Sequence, residues 1–249
     1  MIRLFLRSRL RRIIALLAFA LLFLFSALVA RTLVGGGHGQ VEIGNLYQIG
    51  GYPLVSALLL LGWLIGRFPL IAILAMTAGI VSADRRNGTM RLYAARPTSL
   101  PRLYLTKFAV AAVVVFAMSI MLMPSFDLLL LARWAGPNTF VLVTSYILVY
   151  GSLTFFLSVW VRGDVWITAI LAIVAMLWDA LLRSGRIAGT APGFRELITV
   201  VLPPQSALFR LESAYGAETA TPWGAFAFVV AYSAILTVAA LVSLRIREL

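Results

Sequence analysis

The fold class that the sequence predicts is an all-α polytopic membrane protein with six transmembrane helices, and three observations predict it. Of the 249 residues, 62% are hydrophobic and 12% charged, and the mean hydropathy of +0.99 lies outside the range of an ordinary soluble globule. The apolar residues gather into runs close to the length of about 20 that a hydrocarbon core requires. The cations behind the formal charge of +12 fall in short stretches between those runs. Anionic lipid and membrane topology impose that distribution, so the lipid bilayer is the expected partner and no nucleic acid is. The chain, 1–249, reads as a single transmembrane domain. It holds no cysteine, which excludes disulfides, thiolate metal sites and cysteine nucleophiles.

The first element, 1–12, places Arg3, Arg7 and Arg11 four apart on one helical face and Leu6, Leu10, Ile13 and Ile14 on another. This is the pattern of an N-terminal interfacial helix. Five arginines in twelve residues would also serve as a plain positive flank, and both readings stay open. The first span, 13–34, is longer than the apolar region of a cleaved signal peptide and is read as retained. Glycines at 35–37 and 39 end it. They lack the spacing of a phosphate loop, and His38 among them, the only histidine, has no companion ligands, so no metal is expected.

The run 54–65 is too short to cross. Arg67 and Pro69 separate it from the next run, leaving either one long helix kinked at Pro69 or a dipping piece followed by a second span at 68–83. The latter is preferred, because two crossings would put the basic stretch that follows on the wrong side. The third span is expected at 105–123, with Pro124, Asp127, Arg133, Gly136 and Pro137 marking its exit. The fourth spans 139–160, Arg162-Gly163-Asp164 forms a tight turn, and the fifth spans 165–182. Asp179 and Arg183 can pair there at i,i+4. Residues 183–222 hold two short amphipathic pieces around Pro203-Pro204, lying at the outer face or re-entering the membrane. The sixth span is 223–244. Trp134, Trp160, Trp166, Trp178 and Trp223 fall near span ends, as an interfacial belt requires.

Between the second and third spans lies DRRNGTMRLYAARPTSLPRLYLTK, 84–107, with six cations. Such loops are kept in the cytoplasm. With both termini on the same side, fourteen cations lie within and seven lie outside: Arg31, Arg67, Arg133, Arg183, Arg186, Arg195 and Arg210. Within the stretch, Asn87-Gly88 turns the backbone, Thr89 can cap a short helix 90–95, and Pro97 stops it. The result is a compact knob with Met90, Leu92 and Tyr93 as apolar contacts and Arg86, Arg91 and Arg96 as rim.

Asp84-Arg85-Arg86-Asn87-Gly88-Thr89-Met90, followed by Pro97 and Lys107, resembles the acidic-x-x-x-Gly-Thr-hydrophobic, Pro and Lys signature of the ABC type 2 permeases, with Asp84 where Glu is usual. The resemblance implies that 84–104 is a cytoplasmic coupling loop with a short coupling helix. Asp84, Arg86, Gly88, Thr89, Met90, Leu92, Tyr93 and Pro97 would be the ATPase-coupling residues. It further implies a separate ABC ATPase subunit that carries ATP and magnesium, a second permease subunit, identical or homologous, and an exporter of the bacterial cytoplasmic (inner) membrane. The chain has no P-loop and no readable catalytic constellation, so neither a bound cofactor nor enzyme activity is expected of it. Two rival readings stand beside this one. A self-contained secondary transporter would need intramembrane ion sites and repeated halves, and a membrane anchor would not transport at all.

Overall fold

The computed structural model describes residues 2–34, 60, 62–90, 99–130, 136–186 and 192–246. Among the described residues the chain is helical, without strands: α1 (Ile2–Val34), α2 (Phe68–Thr77), α3 (Ser82–Arg86), α4 (Leu100–Leu130), α5 (Pro137–Trp160), α6 (Asp164–Arg183), α7 (Pro192–Val201), α8 (Gln205–Ala217) and α9 (Trp223–Ile246). Residues 62–66 and 89–90 are helical too. Six segments are long and apolar enough to cross a membrane, Phe5–Val29, Phe68–Arg86, Leu100–Leu129, Pro137–Trp160, Asp164–Arg183 and Trp223–Ile246. The chain is an all-α membrane protein.

The bundle is built on α5, which touches α2, α3, α4, α6, α8 and α9. Its sequence explains why. Ser145, Gly151, Ser152, Thr154 and Ser158 are buried, and small residues let neighbouring helix axes approach closely without exposing polar groups to hydrocarbon. The hydroxyls are satisfied within the helix, as Ser145 donates to the Val141 carbonyl and Thr154 to the Tyr150 carbonyl, both at 2.7 Å. At Gly151 the approach is closest, where an added Cβ would stand 2.9 Å from Phe108 Cε2 and 3.0 Å from Ile73 Cγ1. Gly151→Leu is therefore expected to overpack the α2–α4–α5 junction and destabilise by about 1–3 kcal/mol. A lowered unfolding midpoint in detergent is the readout, with Gly151→Ala intermediate.

Several boundaries differ from expectation, each for a physical reason. Residues 2–12 form no separate interfacial helix. No glycine or proline interrupts 2–34, so these residues are the first turns of α1, and Arg9 is turned inward at 9% exposure. The third span starts at Leu100 rather than 105, because Pro101 sits in the first turn, where its missing N–H costs nothing. It also continues through Pro124 to Leu130. The expected loop 84–104 is accordingly shortened at both ends. Ahead of α2, the helix at 62–66 is interrupted at Arg67, whose N–H donates to the Trp63 and Leu64 carbonyls, and Pro69 lies in the first turn of the next helix. Of the run 54–65, residues 54–59 and 61 lie outside the described residues.

The segment after α6 enters the bundle and leaves by the same end. α8 runs antiparallel to α5. At its start, Gln205 Oε1 accepts a bond from the Tyr150 hydroxyl at 2.8 Å, while near its end the carbonyls of Ala214 and Thr219 accept bonds from Asn138 Nδ2 at 3.1 and 2.8 Å. The Pro203-Pro204 turn therefore lies beside the middle of α5, about 20 Å below its first residue at 1.5 Å per residue. Proline suits that tip, because it brings no N–H into the apolar interior.

Candidate functional site

The site begins with a break in the second membrane segment. α2 stops at Thr77, 78–81 turn, and α3 resumes at Ser82, with Gly79 at the pivot in the left-handed region at φ +67. In an unbroken helix the Gly79 N–H would donate to the Ala75 carbonyl. Here it donates instead to Asp164 Oδ2 at 3.0 Å, at the start of α6. The carbonyls left over are taken from α1: Arg12 Nη1 donates to Ala75 at 2.8 Å and to Ala78 at 2.9 Å, and Arg9 Nη1 donates to Ala78 at 2.6 Å. Irregular backbone at the edge of an apolar bundle persists only where its polar groups are met in this way. Asp164, 4% exposed, is thus a structural carboxylate and not merely a turn residue.

From the break the chain reaches Asp84. α3 ends with Asn87 N–H donating to the Ala83 carbonyl at 2.9 Å and Gly88 N–H to the Arg85 carbonyl at 3.3 Å, and Gly88 has φ +72. This is a left-handed helix stop, in which the next N–H would ordinarily take one more carbonyl. The Thr89 hydroxyl does so, donating to the Asp84 carbonyl at 3.1 Å. Thr89, expected to cap a helix 90–95, is itself helical and closes α3 from behind, while 91–95 lie outside the described residues. The Asp84 side chain turns the other way, with Oδ2 2.5 Å from Lys107 Nζ on α4. That ammonium also sits 4.8 Å from the centre of the Tyr104 ring. Arg85 reaches α5, Nη1 donating to the Val159 carbonyl at 2.7 Å and Nη2 to the Trp160 carbonyl at 3.4 Å, a cation at a helix C-terminus.

Asp84, Gly88, Thr89 and Lys107 are therefore brought into one knot at the end of the bundle. Arg86 is exposed beside it, and Met90 is half-buried against the core. Leu92, Tyr93 and Pro97, with Arg91 and Arg96, lie outside the described residues, as do His38 and Arg133. Two clefts flank the knot. One of about 290 Å³ includes Arg9, Arg12, Asp84 and Lys107 in its lining, and one of about 230 Å³ includes Arg12, Arg86, Arg162 and Asp164. Among the described residues no group of three or more His, Cys, Asp or Glu could hold a metal ion.

Gly88 supplies a local test. No heavy atom lies within 4 Å of the position a Cβ would take, so substitution meets only the backbone penalty. Gly88→Ala is expected to cost about 1–2 kcal/mol in the stability of this turn, and Gly88→Val more. Hydrogen exchange at 84–89 reads it, rising in both variants while the amides of α5 keep their protection.

Sequence reasoning missed the roles of Gly79, Asp164, the inward Arg9 and the exposed Arg12. A lone glycine inside an apolar run is tolerated in helices and so gives only a weak signal of a break. The three side chains carried none, because their partners are backbone atoms elsewhere.

At the opposite end a second polar seam holds α8. Arg67 Nη1 pairs with Glu212 and donates to the Tyr146 hydroxyl, which donates in turn to Glu212. The Tyr215 hydroxyl donates to Asp127, which is 5% exposed, and Thr221 Oγ1 donates to Asn138 Oδ1 at 2.5 Å. Asp179 and Arg183 meet as their spacing predicts, at 2.8 Å, with the guanidinium 3.5 Å from the centre of the Phe209 ring. No protein-family model, curated protein or solved structure matches the chain.

Proposed function

We propose that this chain is the membrane-spanning permease subunit of an ATP-driven exporter, working as a dimer with separate ATPase subunits, with the Asp84 end and both termini in the cytoplasm. The observation that carries the reading is the knot. The acidic residue, glycine, threonine and lysine of the resembled signature are scattered over 24 positions, 84–107, yet they meet through the 2.5 Å Asp84–Lys107 pair and the Thr89 bond to Asp84. A loop that served topology alone would need its positive charge and nothing more.

Mechanically, the knot makes α3 a stiff block. The break at 78–81 separates it from α2, while Asp84 ties it to α4 and Arg85 ties it to α5. Displacement of the segment after Asn87 is passed to those two helices. Moving a two-state bundle from 1:99 to 99:1 takes about 5.5 kcal/mol of differential binding, which the nucleotide-driven partner supplies. The outward apolar faces of α1, α6 and α9, carrying Leu21, Leu22, Ile170 and Ile235, leave ample surface for a second subunit and for lipid.

The test is biochemical. Tagged chain purified from its native membrane should retain an ABC ATPase at about equal stoichiometry, and purified alone it should bind no ATP, having no phosphate loop. Because the chain has no cysteine, Asn87→Cys gives a single label. An impermeant maleimide should reach it in inside-out vesicles and not in right-side-out ones. Stoichiometric nucleotide binding by the isolated chain overturns the reading. Transport driven by a proton gradient without any ATPase would favour the secondary transporter, and retention of a cytoplasmic complex without transport would favour the anchor.

A further inference from the structure

Arg183, Arg186 and Arg195 lie at the end opposite Asp84, where the cation rule expects few. The coupling scheme gives them no task. Beneath them is a cavity of about 480 Å³, walled by α6 (Ala175, Trp178), the hairpin tip (Leu202, Pro203) and α9 (Phe228, Ile235).

The cavity opens sideways. Phe228 and Ile235 are 57% and 69% exposed and share an outward face of α9 with Val238, Val242 and Ile246, so the mouth gives onto whatever covers that apolar stripe. In a membrane that is hydrocarbon. Most of the polar groups in the wall are already engaged: Asp179 with Arg183, Gln205 with the Tyr150 hydroxyl, and Thr199 with Trp178 Nε1 at 3.3 Å and the Arg195 carbonyl at 2.8 Å; the hydroxyls of Ser206 and Tyr232 complete the lining. The space is within the range of small-ligand pockets, and its demand is for an apolar occupant.

Its upper end has a different character. Leu182 and Thr199 also line an adjoining cleft of about 440 Å³, completed by Arg195 and Glu196. The Arg183 side chain is 45% exposed, Arg186 stands in the exposed turn three residues on, and Arg195 has no ion pair among the described residues. Arg195 lines this cleft, and Arg183 and Arg186 follow one and four residues after Leu182, which lines it too; with Arg183 paired to Asp179, two cations are left there against the single carboxylate of Glu196. An occupant complementary to the whole has a hydrocarbon chain below and a negative charge above.

We propose that this face holds an anionic phospholipid of the surrounding bilayer, its acyl chain between α6, the hairpin tip and α9, and its phosphate at Arg195 and Arg183. The site is independent of the transport reading. It concerns what fills the bundle's flank, whatever moves through it.

A single cysteine at Ala231, another cavity-lining position, tests it in the purified full-length chain. The rate of its modification by a small apolar maleimide in detergent is followed as phosphatidylglycerol or phosphatidylcholine is added. Phosphatidylglycerol should slow labelling about five-fold more than phosphatidylcholine at equal mole fraction, the factor that corresponds to about 1 kcal/mol for one basic contact. Arg195→Gln should erase the difference. Ile170→Cys, 58% exposed on α6, should respond to neither lipid, and inorganic phosphate alone should not protect Ala231→Cys. Native mass spectrometry of the unmodified chain should show a phosphatidylglycerol adduct that Arg195→Gln loses, so the result does not hang on the cysteine variant. Equal protection by the two lipids, protection by neither, or protection by inorganic phosphate overturns the proposal.

Discussion

Lys107→Ala should lower the stability of the bundle by about 3–5 kcal/mol, the penalty for leaving one member of a buried ion pair without its partner. Both side chains are largely withdrawn from water, 11% exposed for Lys107 and 22% for Asp84, so little solvent is at hand to relieve the stranded carboxylate. Removing both charges together, as in Asp84→Asn/Lys107→Leu, should recover most of that loss, since paired charges contribute little net stability against neutral groups of similar volume. The unfolding midpoint in detergent measures both effects. If Lys107→Ala melts with the wild type, the pair is not formed in the folded protein. The double variant also separates stability from the proposed coupling. If the proposed function holds, it should fold and retain the partner ATPase, yet fail to transmit nucleotide-driven motion, because α3 is no longer tied to α4 by this pair.

Arg67→Met should cost a similar amount, about 3–5 kcal/mol, through the same physics at the other end of the bundle. Arg67 and Glu212 are 14% and 21% exposed, and the Tyr146 hydroxyl bridges them. The loss should fall on the hairpin rather than on the spans. With Glu212 stranded, α8 has reason to leave α5, and hydrogen exchange across 205–217 should accelerate while 141–158 stays protected. Arg67→Met/Glu212→Leu should restore slow exchange. Unchanged exchange in the single variant would mean that the Tyr150–Gln205 and Asn138 bonds hold α8 without the ion pair.

Five of the six crossings were legible because each rests on a local property, an apolar run of sufficient length, while the second, short and broken, was placed by the charge of the stretch that follows it. What misled was local as well. Pro124 read as the exit of the third span, yet it is carried inside α4, which also begins at Leu100, ahead of the expected 105, with Pro101 in a first turn that lacks N–H partners anyway. The break at Gly79 was hidden for another reason. A glycine flanked by Ala78 and Ile80 barely alters a hydropathy average, and its partners lie on α1 and α6, far away in sequence. Asp84 and Lys107 were picked out by their place in a motif, but nothing in the order of residues says that they touch. Tyr146 and Tyr150 were invisible as hairpin anchors because a buried tyrosine in an apolar run resembles any other aromatic until its hydroxyl partner is placed. Pro203-Pro204, by contrast, announced a turn by its chemistry alone.

The bonds from Arg9 and Arg12 to the carbonyls of Ala75 and Ala78 have a consequence for how the protein is made. A nascent chain leaves the ribosome N-terminus first, so α1 is complete while the residues that accept its two guanidinium groups are still unsynthesised. During that interval water and lipid headgroups must hold both charges at the membrane surface, which keeps those turns from sliding inward. Acceptors become available only when the sequence around Gly79 has been translated and has broken its helix. α1 thus waits for α2 before these bonds can form, and this contact of the bundle is one that translation has to deliver late.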